Sequence, residues 1–156
     1  MEKIALTHLV LGELDTNCYI ISDLEKRNCI VIDPGAEGEK VLHELEIKDL
    51  KLEAIINTHG HMDHIGGNEF LLKETGCKLY IHEDDKDMLQ DPAKNLSVYS
   101  GNDVISPPAT DILEDKQILE FGNIRLKIIH TPGHSPGSVS ILLDKRLFSG
   151  DTLFKK

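Results

Sequence analysis

The stretch Asn57-Thr58-His59-Gly60-His61-Met62-Asp63-His64-Ile65-Gly66-Gly67 places three histidines and a carboxylate within six positions. Neutral imidazole and carboxylate are ordinary ligands for zinc and for several other first-row metals. His59 and His61 stand two apart, a spacing that on an extended segment points both rings to one side. Asp63 and His64 fall past the bend and address a second point in space, so the pattern predicts two adjacent metal positions. A lone loop histidine is ordinarily just solvated or hydrogen-bonded. Three in six residues around an aspartate, in a chain with 8 histidines among 156 residues, favour a metal centre over that plainer reading.

The elements that must hold this cluster follow from its flanks. The apolar run Ala54-Ile55-Ile56 reads as a buried strand, and Glu69 to Glu74 reads as a helix ended by Gly76. The cluster therefore sits on a strand-to-helix loop, where imidazoles can converge. A second histidine loop, His130-Thr131-Pro132-Gly133-His134-Ser135-Pro136-Gly137, lies between two hairpin patterns. The first hairpin is Ile118 to Phe121, Gly122-Asn123, then Ile124 to Ile129; the second is Ser138 to Leu143, Asp144-Lys145, then Arg146 to Ser149. Pro132 and Gly133 shape the turn that aims His134. Asp151 follows the last strand at a turn, in Ser149-Gly150-Asp151-Thr152.

Upstream, residues 4 to 11, Cys18 to Ile21 and Cys29 to Ile32 read as a meander of three strands, closed by Asp33-Pro34-Gly35. A helix near Glu37 to Leu45 carries Val41, Leu42 and Leu45 on one stripe, with His43 off it. Lys78 to Ile81 is another strand, followed by an acidic helix near Glu83 to Leu89, with His82 as a cap or surface residue at the junction. Residues 91 to 115 are irregular and read as a flap beside the site. His8 is read as structural. The whole predicts two sheets with helices packed outside, in one domain spanning residues 1–156.

Composition bounds the function. There are 27 acidic residues against 17 basic ones, a formal net charge of −10, which works against capture of nucleic acid or an anionic membrane surface. No apolar run approaches membrane-spanning length, and the amino terminus carries no secretory pattern. The cysteines Cys18, Cys29 and Cys77 are odd in number and widely spaced, so they read as small buried fillers in a reducing cytoplasm.

His59-x-His61-x-Asp63-His64, Pro132-Gly133-His134 and Gly150-Asp151-Thr152 together resemble the metallo-β-lactamase superfamily. Thr16-Asn17-Cys18-Tyr19 and Val31-Ile32-Asp33-Pro34-Gly35 resemble its glyoxalase II-like (hydroxyacylglutathione hydrolase-like) branch. The resemblance implies an α/β fold of the αββα sandwich type. It implies that His59, His61 and His134 hold a first metal, that Asp63 and His64 hold a second, and that Asp151 bridges both. Asp33 would stand behind the ligating histidines, and His130 is not a ligand in the family pattern. Zinc is the expected metal, one or two ions, with iron or manganese as alternatives. Family members continue to a final Pro-Gly-His-Gly that this sequence lacks up to Lys156, so the expectation is a C-terminally incomplete sandwich without its final strand and helices.

The activity so implied is hydrolysis of a thioester or related ester by a metal-bound hydroxide, with Asp63 orienting the nucleophile and shuttling its proton. The partner is a small-molecule substrate. Two other readings stand beside it: a mononuclear iron persulfide dioxygenase using His59, His134 and Asp151, and a metal-binding fragment without turnover. The apolar carboxy-terminal strands further predict a homo-oligomer formed through them.

Overall fold

Short runs of β-branched residues form strands buried on both faces, and this chain builds its centre from three of them. The computed structural model describes residues 3–150. Strands β1 (Ile4–Leu11), β2 (Thr16–Asp23) and β3 (Asn28–Ile32) form an antiparallel meander. β4 (Lys51–Ile56), β5 (Lys78–His82) and β6 (Asp111–Leu113) extend it in parallel, giving a six-stranded sheet in sequence order. Parallel neighbours need crossovers. Helix α1 (Gly38–Ile47) supplies the one from β3 to β4; α2 (Met62–Ile65) and α3 (Asn68–Thr75) lie on the one from β4 to β5. Strands β7 (Ile118–Phe121), β8 (Ile124–His130), β9 (Val139–Leu143) and β10 (Arg146–Phe148) make a second, antiparallel sheet in the order β10-β9-β8-β7.

Strand alternation sorts the core into two layers. Ile21, Ile30, Ile32 and Ile56 face the second sheet and pack with Leu126, Ile128, Val139, Ile141 and Phe148. Ile20, Cys29, Val31 and Ile55 face the other way, against Val41 and Leu45 of α1 and Leu71 of α3. Burial of each such branched side chain is worth about 1.5–3 kcal/mol. The result is the mixed α/β sandwich the sequence predicts, with α1 and α3 on the outer face of the six-stranded sheet. The two sheets are also stapled at one end by Asp23. Its carboxylate accepts the N–H groups of Glu25, Lys26 and Asn123 at 3.0, 3.0 and 2.6 Å, joining the β2–β3 turn to the β7–β8 turn.

The structure bears on four further expectations. Glu83–Leu89 is helical but 3₁₀, as short runs at element junctions commonly are, and the Nδ1 atom of His82 caps it by accepting the Asp84 N–H at 3.0 Å. The irregular 91–115 segment contains β6, whose three residues are too few to show a period. The same segment does lie beside the histidine loop, pinned there by buried Asn95. The Asn95 carbonyl accepts the Met62 N–H at 2.9 Å, and its side chain donates to the carbonyls of Met88 and Val104. His8 is structural, stacked on Tyr19 and 2.7 Å from the Asn17 side chain. All three cysteines are free; Cys18 and Cys29 are buried as expected, Cys77 only partly, and burial pushes each thiol up, Cys29 to about 12, which disfavours the thiolate.

Candidate metal centre

The chain leaves β4 at Ile56, kinks at Thr58 and His59, and is extended at His61, whose ψ of 151° precedes the bend into α2 at Met62. That bend delivers the two halves of the motif to different places. His59 and His61 precede it, while Asp63 and His64 sit on the short helix after it. Gly66 lets that helix dock: a Cβ there would come 2.2 Å from the Gly35 carbonyl oxygen, in the loop after β3.

His134 arrives from the second sheet, on the loop between β8 and β9, and meets the first pair. The ring centroids lie 4.9 Å apart for His59–His61 and 4.7 Å for both His59–His134 and His61–His134. The three rings stand nearly perpendicular to one another, at 87°, 85° and 85°. Each offers a nitrogen within 4.8 Å of the others. Nδ1 of His61 and Nε2 of His134 are 3.1 Å apart. Two nitrogens on a tetrahedral zinc, each bonded at about 2.0–2.1 Å, stand roughly 3.3–3.4 Å apart. The donor set and spacing therefore fit such a metal. Nδ1 of His59 is 3.1 Å from the Thr58 hydroxyl, so Nε2 is the nitrogen this residue has to offer.

Asp33 lies behind the histidines, as the resemblance implies. It is buried, with a φ of 54° in the left-handed region, which aspartate tolerates better than most residues. Its carboxylate accepts the Thr58 N–H at 2.8 Å and the Thr58 hydroxyl at 2.6 Å, and lies 2.9 Å from Nδ1 of His64. One carboxylate thus orients His64 directly and His59 through Thr58. Such outer contacts fix ring orientation and tautomer. His64 stacks obliquely on His59, centroids 4.1 Å apart, and its Nε2 is 3.5 Å from the Asp63 carboxylate. Asp63 in turn accepts from the Thr16 hydroxyl at 3.4 Å.

So the structure gathers His59, His61 and His134 into one group and sets Asp63 and His64 beside it. Asp151 lies outside the described residues. Gly150 packs against the centre, where a Cβ would approach the Thr58 hydroxyl to 2.8 Å and Nδ1 of His59 to 3.3 Å. His130 stays out of the group: its Nε2 donates to the Pro136 carbonyl at 2.9 Å, and its ring stacks on His82. Sequence reasoning passed over Thr58, Asn57 and Asn68. The buried Asn57 side chain donates to the His64 carbonyl at 3.1 Å and accepts from Asn68 at 2.8 Å, tying α2 to α3. Their only signal in the sequence is that polar residues flank an apolar strand.

His134 separates two cavities. One, of about 320 Å³, is bounded by Thr58, His59, Thr131, Pro132 and Ser140. The other, of about 360 Å³, lies on the far side of His61 and His134, against Met88, Lys94 and Pro136.

The fold and this centre define a class, and comparison with known proteins agrees: the chain belongs to the metallo-β-lactamase superfamily, whose family model matches residues 11–156. The "Probable metallo-hydrolase YqgX" of Bacillus subtilis is 36% identical over 149 residues, covering 93% of this chain and 69% of that protein. The "Probable polyketide biosynthesis zinc-dependent hydrolase PksB" of the same organism is 34% identical, covering 88% of this chain and 55% of its own length. Among solved structures, the BLEG-1 B3 metallo-beta-lactamase superposes with a TM-score of 0.89 at 34% identity, over 97% of this chain and 74% of that one. TTHA1623 in a di-iron-bound form gives a TM-score of 0.79 at 31% identity, over 96% and 73%. One relative is thus named as zinc-dependent and another was solved with iron bound. No helix among the described residues is long and apolar enough to cross a membrane.

Proposed function

We propose that this protein is a zinc hydrolase of thioesters or related esters, of the glyoxalase II-like kind. The observation that carries the reading is the meeting of three mutually perpendicular imidazoles with an Asp63–His64 pair at their side. Both segments that resemble the glyoxalase II-like branch end on this arrangement: Thr16 at the Asp63 carboxylate, and Asp33 at His64 and Thr58. His59, His61 and His134 would hold the first ion, with Asp63, His64 and Asp151 serving a second. A divalent cation so placed lowers the pKa of a water to roughly 7 and polarises a carbonyl.

The chain's own groups do the rest. Asp63, one quarter exposed at 26%, accepts the proton of the attacking water and returns it to the leaving group. Asp33 keeps His64 in one orientation throughout. The cavity beside His61 and His134 receives the acyl group against Met88 and Pro136. A thiolate leaves more readily than an alkoxide, so thioesters should turn over fastest.

The test is reconstitution of the purified protein with zinc, iron or manganese, followed by assay on a series of thioesters and oxygen esters with oxygen uptake recorded in parallel. Thioester cleavage that needs the metal and consumes no oxygen supports the reading. Oxygen consumption with a persulfide on the iron form would replace it with the dioxygenase, and tight metal binding without turnover would leave a metal-binding fragment.

A further inference from the structure

The three-histidine group is assembled from two loops that belong to different sheets, and one side chain outside the motif touches both. Asp85, in the 3₁₀ helix after β5, is fully buried. One carboxylate oxygen accepts the Gly60 N–H at 3.0 Å and the Ser135 hydroxyl at 2.6 Å. The other accepts the Gly137 N–H at 2.7 Å. Gly60 stands between His59 and His61, and Ser135 follows His134. Ser135 is itself bound to the Ser138 hydroxyl at 2.8 Å, which returns the contact to the start of β9.

The packing around this carboxylate is built for close approach. A Cβ on Gly137 would lie 2.7 Å from the Asp85 nitrogen and 2.8 Å from its carboxyl carbon. A Cβ on Gly60 would lie 2.7 Å from Cβ of Met88, one turn further along the same 3₁₀ helix. A side chain at either glycine would push its loop away from the helix that carries Asp85. The nearby link between sheets, the Val139 N–H donating to the Thr58 carbonyl at 2.9 Å, fixes the base of the loops but not their tips.

We propose that Asp85 is the positioning residue that sets the distance between the His59–His61 pair and His134, and so tunes how tightly and in what geometry the centre holds its metal. A buried carboxylate with three donors is costly to replace, because every donor left unpaired in the interior carries its own desolvation penalty. An amide of the same shape keeps one acceptor oxygen but turns an NH₂ group toward a backbone N–H, so either the Gly60 or the Gly137 N–H is left unpaired in the interior. This inference rests on the reading of His59, His61 and His134 as a metal centre.

The experiment is metal affinity and cobalt spectroscopy on Asp85→Asn, Ser135→Ala and the exposed control Glu83→Gln. Zinc affinity is read by competition with a chromophoric chelator, and site geometry from the visible bands of the cobalt-substituted protein. Asp85→Asn is expected to lose about 10–100-fold in zinc affinity with shifted cobalt bands, the range seen when an outer partner of a ligand is removed. Ser135→Ala, which deletes one donor and leaves the carboxylate, is expected to lose less, with bands shifted in the same sense. Glu83→Gln should match the parent. Should Asp85→Asn not fold, Ser135→Ala decides. Parent-like affinity and bands in the variants, whatever happens to Tm, would overturn the clasp while leaving the centre intact. A parent protein that binds neither zinc nor cobalt would instead overturn the metal-centre reading itself.

Discussion

Two groups of histidine and aspartate side chains come within 4.8 Å of one another among the described residues: His59, His61 and His134 in one, His82, Asp84 and His130 in the other. Proximity alone does not separate them, but ring geometry does. In the first group the rings meet at 85–87°. In the second, His82 and His130 lie face to face at 4.0 Å and 12°. An imidazole lone pair lies in the plane of its ring, so parallel rings aim their lone pairs along separate planes and cannot share an ion as they stand. Both rings are also committed, His82 to the Asp84 N–H and His130 to the Pro136 carbonyl. Histidine count and spacing therefore identify a metal centre only when the backbone brings the rings edge to edge.

The sharpest way to break this comparison is to delete one histidine from each group. His134→Ala should weaken zinc binding at least about 100-fold and abolish hydrolysis, as loss of one of three protein ligands would. His130→Ala should cost far less zinc affinity, under about tenfold, since its ring supplies no ligand and reaches the His134 loop only through the Pro136 carbonyl. Chelator competition measures both, and the reverse pattern would exchange the roles assigned to the two groups. A smaller effect separates holding metal from using it. Asp63→Asn should lower kcat roughly 100-fold, the scale of a lost general base, while zinc stoichiometry at the first position is retained.

The carboxylates offer the next contrast, because Asp23 staples two turns as Asp85 staples two loops, but with no histidine nearby. Burial pushes the Asp23 carboxyl up, and the N–H groups of Lys26, Asn123 and Glu25 outweigh that and hold it below the usual carboxylate range. A group depressed in the folded state adds stability above its unfolded pKa and loses it as pH falls through the folded one. Asp23→Ala should thus cost about 2 kcal/mol near neutral pH by denaturant titration, with the gap to the parent closing as pH drops below the carboxylate range. Metal affinity should not change. The smallest effect belongs to His82→Ala, which removes a helix cap and should cost about 1 kcal/mol with the metal centre untouched.

Much of this molecule was legible in the chain itself. Short apolar runs and, in the second sheet, period-two patterns located nine of the strands, and Gly122-Asn123 and Asp144-Lys145 marked the two hairpins that carry the second sheet. The αL conformation of Gly76 closes α3 where a glycine was expected to end it. His59, His61, Asp63 and His64 could be picked out because a short motif on a strand-to-helix loop needs only local information. His134 is preferred to His130 because the family pattern that the sequence resembles makes only His134 a ligand, with Pro132 and Gly133 shaping the turn before it. The resemblance, more than the pattern, pointed to Asp33.

Contacts between segments distant in sequence came from the packing of the fold. Nothing in the acidic run Glu83 to Asp87 tells which carboxylate is buried. Asp85 is singled out because Gly60 and Gly137, 25 and 52 residues away, present N–H groups that water cannot reach. The perpendicular meeting of His134 with His59 and His61 likewise depends on how the two sheets pack, as does the parallel stacking that keeps His82 and His130 apart from it. Side-chain periodicity records which face of an element is apolar. It does not record which loop ends converge, because that is fixed by the register and packing of the sheets between them.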